Sequence, residues 1–167
     1  MPELSELLQQ GADEARRLGF DEVELFALRQ NSLSIKVFQQ EVDTFSFSQN
    51  TGVSVRLFHD QRCGYAYTEE ATIEALRKTI QSAAEVSAIL PADEYQRLPD
   101  PGSQQYPTLS LLDHSFSELG YEFKIASARQ IEKSAKESSK LVVNVPTASY
   151  GEGALEVALV STRGLKA

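Results

Sequence analysis

Val53-Ser54-Val55-Arg56-Leu57-Phe58-His59-Asp60-Gln61-Arg62-Cys63-Gly64-Tyr65-Ala66-Tyr67 is the stretch on which the fold turns. Val53, Val55 and Leu57 alternate with Ser54, Arg56 and Phe58, the period of a half-buried strand. Asp60-Gln61-Arg62 is a short polar turn, and the run from Cys63 to Tyr67 brings the chain back. Two short strands joined so tightly can pair only antiparallel.

The same period extends upstream to Asp21. Val23, Leu25 and Ala27 alternate with Glu22, Glu24 and Phe26, and Leu33, Ile35 and Val37 with Ser34, Lys36 and Phe38. Phe45 and Phe47 stand between Thr44, Ser46 and Ser48. Gln30-Asn31 and Asn50-Thr51-Gly52 read as further turns, so the segment is an antiparallel meander with one covered face and one wetter face.

Helical spacing brackets the meander. Leu4, Leu7, Leu8, Ala12, Ala15 and Leu18 line one face of a first helix, with Arg16 and Arg17 in its last turn and Gly19 as its stop. Ile73, Leu76, Ile80, Ala83, Ala84 and Val86 form the stripe of a second, capped by Thr68 or Thr72 and ended before Pro91. Prolines 91, 99, 101 and 107 mark an irregular connector. Ser115-Phe116-Ser117-Glu118 has capping-box spacing and opens a third helix to about Ser138, with Leu119, Phe123, Ala126, Ile131 and Ala135 as its apolar positions. Residues 141–145 and 154–160 read as strands around 146–153, with Gly151-Glu152-Gly153 as a flexible turn and Ser161-Thr162-Arg163-Gly164 as the next turn. The fold class is therefore α+β: an antiparallel β-meander with helices packed on one face, followed by a further helix and a β-hairpin. The expected organisation is a core over 1–90, a connector over 91–114, and a completing helix and strands over 115–167. Because Leu165-Lys166-Ala167 starts a new alternation, the chain is expected to be a truncated chain or the first part of a larger protein, with a short native tail as the alternative.

Composition narrows the function. The 167 residues carry 16 basic and 24 acidic side chains, a net charge of −8 that disfavours direct nucleic-acid binding. No apolar run is long enough to span a membrane, the acidic amphipathic start is unlike a secretory leader, and the single Cys63 suits a reducing compartment; a cytoplasmic location is expected.

Catalytic chemistry finds little purchase. His59 and His114 are the only histidines and form no ligand pair, so a zinc site would need both to converge with Cys63 or a carboxylate. Cys63 with His59 could be drawn as a thiol and its base, but no nucleophile motif flanks them. No catalytic and no metal-binding residue is assigned in this chain. The aromatic residues of the meander are more telling: Phe45, Phe47, Tyr65 and Tyr67 are candidates to face a peptide or partner, because alternation must send some of them away from the helices. An exposed sheet edge could also take an extended peptide.

Several phrases, in order, resemble the N-terminal domain of the TldD/PmbA peptidase family, whose members were formerly called modulators of DNA gyrase. Asp13-Glu14-Ala15 through Gly19-Phe20-Asp21-Glu22-Val23-Glu24 resembles its helix-to-strand entry, and Gln39-Gln40-Glu41-Val42-Asp43-Thr44-Phe45-Ser46 its second hairpin. Thr51-Gly52-Val53-Ser54-Val55-Arg56 leading to Gly64-Tyr65-Ala66-Tyr67-Thr68 is the most specific phrase, followed by Glu74-Ala75-Leu76 and Ala83-Ala84-Glu85. Ser149-Tyr150 and Val160-Ser161-Thr162-Arg163-Gly164-Leu165 resemble the approach to the family's second domain. The resemblance implies a scaffold and substrate-enclosing domain of a system that hydrolyses unfolded peptides, not catalytic alone, with homo- or heterodimer formation. It implies zinc only in a second domain of TldD-type relatives, through an HExxxH motif absent here; the PmbA (TldE) type is metal-free and slightly favoured by Gly64-Tyr65-Ala66-Tyr67. The alternative is a stand-alone peptide- or protein-binding module that uses an exposed sheet face or edge.

Overall fold

A computed structural model describes residues 3–100, 109, 111 and 118–167. Among the described residues, helices and strands follow in the order α1 (Leu4–Arg17), β1 (Glu22–Phe38), β2 (Glu41–His59), β3 (Arg62–Thr68), α2 (Ile73–Ile89), α3 (Tyr121–Glu137) and β4 (Ala148–Ser161). The strands form one antiparallel sheet of order β3-β2-β1-β4. The α+β meander with its added helix is thus the architecture of the chain.

The chain divides into two compact units. The first holds Met1–Arg29, Asn50–Tyr106 and Leu155–Ala167; the second holds Gln30–Gln49 and Pro107–Ala154.

The first unit owes its core to two amphipathic helices laid on strands. Leu4, Leu7, Leu8, Ala12 and Ala15 of α1 and Leu76, Ile80 and Ala83 of α2 close over Val23, Leu25, Val53, Val55 and Leu57. Each fully buried leucine or isoleucine contributes about 1.5–3 kcal/mol. Gly19 ends α1 with φ of 89°. Its N–H bonds to the Arg16 carbonyl and the Phe20 N–H to the Ala15 carbonyl, both at 3.0 Å, which satisfies carbonyls the helix end leaves open. Thr72 caps α2, its Oγ1 accepting the Ala75 N–H at 3.2 Å. One close approach requires glycine: a Cβ on Gly64 would stand 1.8 Å from the Ala83 carbonyl oxygen, so β3 and α2 meet backbone to backbone. Residues 91–100 contain no helix or strand, but the Asp93 N–H reaches the Gln61 carbonyl at 2.7 Å and Leu98 is buried. The rest of the expected connector, apart from Leu109 and Leu111, lies outside the described residues.

In and beside the second unit the structure departs from the expectations. Gln30-Asn31 lies inside β1 of the second unit, and Asn50-Thr51-Gly52 inside β2 where the first unit resumes; neither is a turn, because pairing with neighbouring strands carries the pleat through them. The real turn is Gln39-Gln40, with φ of 53° and 64°. Two successive positive-φ residues make the two-residue hairpin turn, for which glutamine carries no local signal. The turn is fixed from afar: the Gln39 and Gln40 N–H groups both donate to the Glu132 carboxylate of α3 at 2.6 Å.

Helix α3 also differs. It starts at Tyr121 with Gly120 as N-cap and no capping side chain, while Ser115, Phe116 and Ser117 lie outside the described residues. Its buried stripe is Lys124, Ala128 and Glu132, and the expected apolar positions Phe123 and Ile131 are exposed. Among the described residues, 141–145 form no strand; Leu141 and Val143 stand in solvent. Gly151-Glu152-Gly153 is not a flexible turn, since β4 begins at Ala148 and runs through it, and neither glycine uses positive φ.

Candidate functional site

Tyr65 and Tyr67 alternate along β3 in the first unit. Their cross-strand partners are Arg56 and Ser54 of β2. Gly64 presses on α2, so the pleat turns Tyr65 and Tyr67 to the face away from that helix. They are 55% and 71% exposed, and Leu155 and Val157 of β4 are exposed apolar residues of the same unit. Arg56, itself exposed, is paired at 2.7 Å with the half-buried Glu24. β3 itself is one edge of the sheet.

Phe45 and Phe47 belong to the second unit. Phe45 meets Tyr121 edge to face at 5.4 Å between ring centroids, and Phe47 lines a cleft of about 380 Å³ with Leu33, Leu119, Tyr121, Lys124 and Glu152. In that cleft the buried Lys124 ammonium donates to Glu152 Oε1 at 2.6 Å, and the Tyr150 hydroxyl donates to Glu152 Oε2 at 2.8 Å. Burial and the neighbouring carboxylate together hold the Tyr150 phenol above its ordinary pKa. The Lys124–Tyr150–Glu152 cluster escaped sequence reading because Lys124 lies 28 residues from Glu152; the one available signal was the Lys124–Ala128–Glu132 stripe at four-residue steps, which looks like a solvated face.

The Cys63–His59 pairing is not formed. In the β2–β3 register Cys63 lies opposite Phe58 and His59 opposite Arg62, so the thiol and the imidazole project to opposite faces. Burial pushes the Cys63 thiol above its ordinary pKa, with Glu24 adding to the rise and Arg56 opposing it, the reverse of what a nucleophile needs. His59 packs edge to face on Phe20 at 5.8 Å and lies 3.6 Å from Asp60. A second cleft in the first unit, about 450 Å³, is lined by Asp21, Glu22, His59, Asp60, Glu94, Arg97 and Arg163. Its acids are engaged rather than convergent: Glu22 is bound by Arg163 and by the Leu98 N–H. His114 lies outside the described residues, and among those described no group of three His, Cys, Asp or Glu could hold a metal ion. The described residues therefore offer no ligand set for a zinc centre, and no helix among them is long and apolar enough to cross a membrane.

Comparison with known proteins agrees with this architecture. Residues 23–87, spanning β1 to α2, match the first domain of the PmbA/TldA metallopeptidases. No curated protein sequence matches the chain. Among solved structures, the fold is similar to that of a candidate modulator of DNA gyrase from Thermotoga maritima, with a TM-score of 0.79 at 20% identity over 97% of this chain and 36% of that one. A candidate modulator of DNA gyrase from Bacteroides thetaiotaomicron gives 0.81 at 22% identity over 97% and 37%. TldE from Thermococcus kodakarensis gives 0.79 at 21% over 96% and 36%. At such identities the likeness is one of fold, and the chain spans little more than a third of each of these proteins. Through residues 23–87 the chain is thus similar to the first domain of the PmbA/TldA metallopeptidases.

Proposed function

We propose that this chain is the scaffold and substrate-enclosing N-terminal domain of a PmbA/TldA-type peptidase system that acts on unfolded peptides in the cytoplasm, as one part of a homo- or heterodimer. The family match over β1 to α2 is the observation that carries the reading. The purified chain, incubated with a denatured protein digest and added zinc, should release no new amino termini; cleavage that a chelator abolishes would overturn the reading. Extending the gene sequence past Ala167 to look for HExxxH separates a zinc-bearing parent from a metal-free one.

A second reading, a peptide-binding module in its own right, is favoured by one observation: the β3 edge and its two exposed tyrosines stand without a protein partner among the described residues.

A further inference from the structure

The Asp60-Gln61 turn has φ of 50° and 60°, the two-residue turn whose flanking residues, His59 and Arg62, form a closing hydrogen-bonded pair. Counting from that pair, Arg62, Gly64, Ala66 and Thr68 share their backbone bonds with β2. Cys63, Tyr65 and Tyr67 then turn their N–H and C=O groups outward from the sheet. No partner for these groups exists among the described residues. The register from Val53↔Thr68 to His59↔Arg62 runs unbroken, with no bulge, proline or lysine along the edge. Such features usually blunt an exposed edge, and their absence leaves this one able to pair.

The occupant is constrained by α2 and by charge. Backbone contact at Gly64 and Ala83 places α2 directly on β3. A second copy joined edge to edge would bring its own α2 to roughly one strand spacing, about 4.8 Å, from this one. Helices pack at about 8–10 Å, so a single extended chain fits where a whole domain does not. Charge sets the pattern an antiparallel ligand would carry. Glu69 and Glu70 follow the C-terminal end of β3, and Arg62 opens its N-terminal end. An antiparallel peptide would lay its N-terminal side against the two acids and its C-terminal side against the arginine.

We infer that the β3 edge binds an extended peptide by antiparallel strand addition, favouring a basic N-terminal side and an acidic or free-carboxylate C-terminal side, with apolar side chains beside Tyr65 and Tyr67. The inference rests on the second reading above, and it adds the edge, the polarity and the charge pattern of the ligand.

The test uses the whole chain and a fluorescent peptide with two N-terminal lysines, an alternating valine–threonine centre and two C-terminal aspartates, read by anisotropy. Saturable binding is expected. N-methylation of the central amides in the phase that faces β3 should weaken it at least tenfold, whereas methylation in the opposite phase should change it less than twofold. A peptide with its charged ends exchanged should bind several-fold more weakly, and Arg62→Glu should reverse that preference. Amide resonances of Cys63, Tyr65 and Tyr67 should shift most, in spectra that also show each variant to be folded. Absence of saturable binding up to millimolar peptide, equal loss for both methylation phases, or shifts confined elsewhere would overturn the inference. So would concentration-dependent dimerisation that Tyr65→Lys abolishes, since the edge would then belong to a second copy. Because the assay reads binding without hydrolysis, its failure leaves the family role standing, and chelator-sensitive cleavage would strike that role alone.

Discussion

In the first unit, α1 and α2 press Leu8, Leu76 and Ile80 onto the buried Val23, Leu25, Val55 and Leu57. In the second, α3 turns Lys124, Ala128 and Glu132 inward and leaves Phe123 and Ile131 in solvent. The second unit does bury Leu33, Ile35 and Val37 of β1, but its helix is held by an ion pair and by a carboxylate that grips a turn. Apolar burial is non-directional and yields in graded steps. A buried charge is either matched or very costly, so the second unit should respond to single changes abruptly and to pH.

The largest expected effect breaks the first unit. Gly64→Ala drives a Cβ into the Ala83 carbonyl, and the loss should exceed about 4 kcal/mol in urea unfolding, or leave no folded protein. Glu152→Ala in the second unit strands the Lys124 ammonium, and about 3–5 kcal/mol should be lost. Replacing both partners with methionine should restore most of that loss, which no second change would do for Gly64. Leu57→Ala in the first unit should cost about 2–5 kcal/mol, the ordinary range for a core cavity.

Acid distinguishes the units more gently. Burial acts to raise the Glu132 pKa, but the N–H groups of Gln40 and Gln39, the Gln40 amide and Lys136 outweigh it and hold the carboxyl below its ordinary value. Its contribution is therefore present above the unfolded carboxylate pKa and is lost as pH falls through the lower, folded one. Hydrogen exchange at Gln39 and Gln40 should accelerate in that acid window before exchange at Val55 or Leu57 does, and Glu132→Gln should remove the difference. The smallest effect is expected at the surface: Tyr67→Ser should change stability by no more than about 0.5 kcal/mol.

The contrast also explains what could be read in advance. The first unit was legible because its signals are local: a leucine stripe, a glycine stop, a threonine cap and a period of two each act within a few residues. Tyr65 and Tyr67 followed from that period and are exposed. The second unit was read poorly because its determinants are long-range. Nothing near Gln39 announces a turn that Glu132 supports, and apolar Phe123 and Ile131 suggested a buried face that packing gives to Lys124 and Glu132. The glycines at 151 and 153 read as a flexible turn because glycine's turn preference is local, whereas the strand pairing that overrides it is not.

The turn at Gln39-Gln40 has a consequence for the order of events during synthesis. The carboxylate that supports it lies 92 residues downstream of Gln40. As the chain leaves the ribosome, β1 and β2 emerge long before α3, and the tip of their hairpin has nothing to hold its two left-handed residues. Until α3 emerges this tip cannot set, and Phe45 and Phe47 on β2 wait with it. A chaperone that samples nascent chains would find the hairpin tip open throughout that interval.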